Sequence, residues 1–268
     1  MKRFFESGYY KLTRQVFKGV FLRVMVMCAA LIVLTFAKLI GSVNLESFTQ
    51  PYEALISASG IATVFFGAVG VFMLLLILQI FMDIHRNKGY AVVMMLPMPR
   101  RHVLFAYCTA GVIGILMLWA VQTLALILAY GPVTAACEST AVEYERVYKT
   151  VLPFAMARTN GLFLAVVRGD LFHILLPMGI PEALSSLLLI FTAGCLPAYG
   201  LLGEKKHIAV VTMLLTFVLL IFVVTQRMNS MWGIELNGFV WRTVLMGLAL
   251  VYMLAVSVYR LNRSANVV

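Results

Sequence analysis

Apolar residues run along this chain in blocks too long for the helices of a soluble core. Six stretches, at about 20–40, 58–82, 103–130, 182–202, 207–225 and 239–259, stand between shorter polar segments. Each is long enough to cross a hydrocarbon core roughly 30 Å thick, which takes about 20 helical residues. No stretch shows the ten-residue alternation of a membrane β-barrel. The pattern predicts an all-α, polytopic membrane protein with six transmembrane helices in a single domain, 1–268. Pro177, Pro181 and Pro197 interrupt the neighbourhood of the fourth run and leave its limits open.

Ahead of the first run, residues 4–19 carry a helical period. Phe5, Tyr9, Leu12 and Val16 share one face, with Lys11, Arg14, Gln15 and Lys18 opposite. Such a segment forms an N-terminal amphipathic helix lying in the membrane interface, its cations near anionic lipid, or it is a basic tail that only sets orientation. The first run itself begins near residue 20. It is too long for the apolar part of a leader and lacks a small-residue cleavage site, so it is expected to stay as a span.

Between the third and fourth runs, after Gly131-Pro132, residues 131–180 are the least membrane-like part of the chain. Glu138, Glu143, Glu145, Arg146 and Lys149 suit a charged helix, whereas 151–157 and 162–167 are apolar but too short to cross. A lateral helical segment on the outer face is expected here, either shaping a substrate exit or capping the bundle. Asp170 and His173, three apart, can share a helix face there as a cap or a hydrogen bond.

Polar and small residues inside the spans mark where helices meet. Ala58, Ser59, Ala62, Thr63 and Gly67 follow the small-xxx-small spacing that lets membrane helices approach closely, and the third run adds Gly111 and Gly114. Gln122 is costly against lipid and should face protein, as an interhelical hydrogen bond or as part of a pathway. Trp232, Trp241, Tyr52 and Tyr130 fit an interfacial aromatic belt. There is no visible internal repeat of the kind that builds inverted-repeat transporters.

Composition agrees: 62% of residues are apolar, 12% charged, and the mean hydropathy is +0.97. Charge supplies the orientation. With the N-terminus inside, the cytoplasmic segments hold fourteen Lys and Arg against three acids, and the outer segments seven against eight. Short cytoplasmic loops retain Lys and Arg, so both termini are expected in the cytoplasm of a bacterial cell whose plasma membrane holds the chain. Orientation thus accounts for the basic balance, and nucleic acid is not an expected partner. Of four cysteines, Cys28, Cys108 and Cys195 fall inside spans, so neither a disulfide framework nor a metal spacing is available.

Catalytic patterns are missing. There is no His-Glu-x-x-His, no Gly-x-Ser-x-Gly, and no Gly-x-x-x-x-Gly-Lys-[Ser/Thr] to cradle a nucleotide. No catalytic or metal-ligating residue is assigned, and an ATP-driven process would need the nucleotide on another chain.

The polar break between runs two and three is the strongest local signal. Asp83 and Arg86 close the second run, Gly89 permits a bend, residues 90–96 from Tyr90 to Leu96 are apolar, Pro97 and Pro99 end them, and Arg100 and Arg101 return to the membrane. An apolar patch in a charged loop usually marks a contact. Docking into a groove of a soluble partner, lying on the bilayer as an elbow, or lining the base of the bundle are all open.

This order of span, Asp83, basic Gly stretch, Met94-Met95-Leu96-Pro97-Met98-Pro99-Arg100 and span resembles the intracellular loop of ABC type-2 permeases, the six-span subunits of ATP-binding-cassette exporters. The likeness covers about twenty residues as motif and most of the chain as topology, with the segment after span three longer than in that family. It implies that Tyr90, Met94, Met95, Leu96 and Pro97 form a coupling element. Asp83, Arg86, Arg100 and Arg101 would fix that element to the bundle. It further implies two copies of a soluble subunit that bind ATP and Mg, a second permease, identical or similar, and no cofactor in this chain. The expected function is export of a peptide, drug or lipid-like substrate. The alternative is a non-transporting membrane scaffold or assembly factor that binds a cytoplasmic partner through 83–102.

Overall fold

The computed structural model describes residues 8–85, 101–149, 161–202, 206–229 and 236–265. These form α1 (Gly8–Gly41), α2 (Tyr52–Ala58), α3 (Ile61–His85), α4 (Arg101–Tyr148), α5 (Gly161–Arg168), α6 (Asp170–Leu175), α7 (Ile180–Leu202), α8 (Lys206–Asn229) and α9 (Leu236–Ala265), with no strand among the described residues. Four helices, α1, α3, α4 and α7, are long and apolar enough to cross a membrane. The last two helices carry shorter apolar stretches, Val211–Thr225 and Thr243–Tyr259.

Side-chain pairs fix the helix directions. Leu12 and Val16 of α1 pack in one cluster with Val103, Leu104 and Tyr107 of α4, and further along both helices Thr35 bonds Gln122. These two helices are therefore parallel. α3 starts beside α2, whose Tyr52 reaches the Leu126 carbonyl of α4 at 2.7 Å, and ends at Asp83, which meets Tyr107. It runs antiparallel to α4, as does α7, whose Gly194 lies over Gly111. The ends of the bundle are called here the basic end, where α1 and α4 begin, and the far end.

α4 and α7 form the centre. α4 packs along α1 and against α7, while α7 also touches α3, α6, α8 and α9. A Cβ at Gly111 would stand 2.3 Å from the Gly194 carbonyl oxygen, and one at Gly114 would stand 2.2 Å from Phe72 Cζ. Helices in lipid gain little hydrophobic drive from meeting each other, so such close backbone approach carries their association. Around this centre, Leu22, Val33, Leu74, Leu215, Leu248 and Val251 are each at least 60% exposed. Apolar surface of that extent calls for a nonaqueous neighbour.

On α1 the apolar face is bounded by Lys18 and Lys38, about 30 Å apart at 1.5 Å per residue. The pairings above carry this slab to roughly Phe105 through Ala125 on α4. α4, with 48 residues, runs on for another twenty or so. That extension joins 42–58 and α5 in a cap at the far end. Phe48 stacks on Tyr144 at 5.4 Å, Tyr52 meets Tyr130 edge-on at 5.3 Å, and Gly161 fits against Tyr130. Gly60, at φ +68°, takes the left-handed turn from α2 into α3, a conformation glycine adopts without steric penalty.

Four expectations change. Residues 8–19 are not a separate interfacial helix; α1 is continuous from Gly8, because Leu12 and Val16 extend the buried stripe of Val20, Val24 and Cys28 onto the ends of α3 and α4. The helix that carries the third span does not stop at Gly131-Pro132, since α4 continues through Pro132 to Tyr148 and is held by the aromatic contacts of the cap. Gly67, expected to bring α3 close to a neighbour, does not do so, as nothing lies within 4 Å of a Cβ built there. Tyr52 is no belt residue: it is fully buried, its burial and Tyr130 push the phenol's pKa up, and its hydroxyl is bonded.

The fourth run survives its prolines as one helix. Pro177 precedes α7, Pro181 falls in the first turn where its missing N–H is harmless, and Pro197 is accommodated inside.

Candidate functional site

At the basic end a polar chain ties three helices together just where the polar break begins. Arg23 Nη1 of α1 donates to Gln79 Oε1 of α3 at 2.8 Å. Gln79 Nε2 donates to both carboxylate oxygens of Asp83, at 3.1 and 3.2 Å, one turn on. Tyr107 Oη of α4 donates to Asp83 Oδ2 at 2.8 Å. Gly19 makes room for this chain, as a Cβ there would lie 3.3 Å from Gln79 Nε2. Asp83 therefore accepts from two helices, and hydrogen bonds to a charged acceptor are among the stronger ones.

Asp83 is thus placed as an anchor at the start of the loop. Arg86, Tyr90, Met94, Met95, Leu96, Pro97 and Arg100 lie outside the described residues. Arg101 opens α4, six residues before Tyr107. Both ends of the break consequently sit on helices joined by the Asp83–Tyr107 bond.

Gln122 is fully buried and accepts from Thr35 Oγ1 at 3.3 Å, while its Nε2 has no partner among the described residues. It faces α1 as an interhelical bond. Thr35 lies three residues before Lys38, so the pair belongs to the far third of the apolar slab rather than its middle.

A groove of about 380 Å³ opens on the flank between α3 and α8, floored by α7. Ala62, Phe66 and Val69 line it from α3, Leu189 and Ala193 from α7, and Phe217, Ile221 and Thr225 from α8. Thr63 and Thr225 are the hydroxyl side chains of an otherwise apolar lining.

The far end of α8 carries the feature that the sequence pattern does not reveal. Helix ends leave their last carbonyls without intrahelical partners. The three final carbonyls of α6 are each taken by a side chain of another helix: His173 O by Arg227 Nη2 at 2.9 Å, Ile174 O by Ser186 Oγ at 3.0 Å, and Leu175 O by Trp119 Nε1 at 3.1 Å. Arg227 Nη1 also donates to Ser186 Oγ at 2.8 Å. Arg227 is only 8% exposed; burial draws its pKa down, and the Glu182 charge opposes this. In the sequence, Arg227 is merely one cation of an outer turn, because nothing local shows which carbonyls it will meet.

No protein-family model, curated protein or solved structure matches the chain.

Proposed function

We propose that the chain is the membrane-spanning permease subunit of an ATP-binding-cassette exporter. It would work as a pair with a second permease, identical or similar, and with two copies of a soluble subunit that binds ATP and Mg. In this reading α1, α3, α4, α7, α8 and α9 are six crossings. α8 and α9, of 24 and 30 residues, are long enough to cross, at about 36 and 45 Å. An even number of crossings returns both termini to the side where Lys and Arg concentrate, the cytoplasm.

The observation that carries the reading is the Arg23–Gln79–Asp83–Tyr107 chain. A push delivered to residues 90–97 by a partner closing on ATP enters α3 and α4 at the two ends of the break. The polar chain makes α1, α3 and α4 respond together. Their tilt relative to α8 changes the width of the α3–α8 groove, whose small and apolar lining suits a lipid-like or otherwise apolar substrate.

The test is co-purification with a soluble ATPase, together with substrate-stimulated ATP hydrolysis. Met95→Asp and Leu96→Asp should abolish both. Retention of both would sink the coupling assignment, and a partner that binds through the loop without hydrolysing ATP would favour the scaffold reading.

A further inference from the structure

His173 lies in α6, toward the far end of the bundle, and its two ring nitrogens have different neighbours. Nε2 stands 2.9 Å from the Val167 carbonyl oxygen. A carbonyl only accepts, so Nε2 must carry the proton, and in the neutral ring Nδ1 is then a bare lone pair. That lone pair is buried, has no hydrogen-bond partner, and faces Glu182 Oε2 at 3.7 Å. A lone pair held against a carboxylate oxygen is an arrangement that one proton repairs. Glu182 is itself fixed, because its Oε2 accepts the Met178 N–H at 3.2 Å.

We propose that His173 Nδ1 and Glu182 form a proton-operated clasp, which on taking up one proton becomes an ion pair tying α6 to the start of α7.

Other charges around the ring come from every neighbouring helix. Asp170 lies one turn back on α6, its carboxyl pushed up by burial and partly held down by His173. Arg168 ends α5 exposed. Glu182 heads α7, and Arg227 comes from α8, its guanidinium on the His173 carbonyl rather than on the ring. The described part of α4 presents Trp119 there, with no charge. Once the ring is protonated the ion pair draws α6 and the start of α7 together, while Arg227 holds the end of α8 to the His173 carbonyl. Thr225, two residues before Arg227, lines the groove. On the permease reading, acid on the far side therefore steadies the groove's outlet.

Imidazole changes charge between about pH 5 and 8. The ion pair exists only while the ring carries both protons, so the tie between α6 and α7 is made on the acid side and absent once Nδ1 is bare again.

Two measurements on the full chain in detergent test this, and neither depends on transport. The first follows the ¹⁵N resonances of His173 from pH 8 to pH 5.5. The expected result is the Nε2–H tautomer at pH 8 and both nitrogens protonated at pH 5.5; an Nδ1–H tautomer at pH 8 overturns the proposal. The second is a thermal double-mutant cycle of His173→Asn and Glu182→Gln in an Asp170→Asn background. A coupling of about 2–4 °C at pH 5.5 that disappears at pH 8 is expected. Equal coupling at both values overturns the clasp, as does its absence at pH 5.5. If the clasp stands while ATPase coupling fails, only the groove's role as an outlet falls.

Discussion

Polar side chains in an apolar setting carry most of the information at the level of single residues. Gln122 and Thr35 bond each other across the α1–α4 interface, and the second amide hydrogen of Gln122 goes unmet. Thr35→Val should lower stability by about 1–3 kcal/mol, because it strands the whole buried amide, and adding Gln122→Leu should recover most of that loss. Unfolding of the single and double variants in detergent checks this, and additive losses would contradict it. Tyr107→Phe should cost about 1.5–3 kcal/mol, since it deletes a donor to the Asp83 carboxylate, with the lower figure favoured because Asp83 is only half-buried. Asp83 and Gln122 are legible in the sequence because an acid at a span's end and an amide within one need partners. Arg227 is not, since its partners are the His173 carbonyl of α6 and the Ser186 hydroxyl of α7, and no pattern of side chains announces a helix end that another helix will cap.

Helices show where local rules give way to packing. Gly131-Pro132 reads as a stop because proline removes a ladder hydrogen bond and crowds the preceding turn. α4 nevertheless continues, since Tyr130, Tyr144 and their partners on 42–58 hold its extension in place. Small residues give the second lesson. Both α3 and α4 carry them, four apart at Thr63 and Gly67 and three apart at Gly111 and Gly114, and contact alone tells which set is used. Gly111→Ala should destabilise by about 1–3 kcal/mol, because its methyl would meet backbone that cannot step aside. Gly67→Ala should be neutral or mildly stabilising, there being nothing within 4 Å of the new atom. Equal effects at the two positions, measured by thermal unfolding, would refute the assignment of α4–α7 as the close interface. Leu12 and Val16 were legible as a buried face, but not the fact that protein rather than lipid covers them.

The whole molecule follows from its apolar runs, four of which form helices long and apolar enough to cross a bilayer. All four cysteines are buried, so a membrane-impermeant maleimide should leave the native chain unlabelled on intact cells. On the six-span reading, Val142→Cys should label from outside, and Gln15→Cys only after permeabilisation. Label on both without permeabilisation, or the reverse pattern, would reject that orientation. The arrangement of the last two helices was the least readable part, because a run of apolar residues says that a helix is greasy and not which neighbour it will choose. α4 adds one more consequence. Its 48 residues make a rod of about 72 Å, more than twice the thickness of the hydrocarbon core. A tilt of only about 5° about one tip would swing the other by roughly 6 Å for a rod of that length. On the permease reading, a nudge near one water boundary would reach the opposite one as a larger displacement of the same rigid rod.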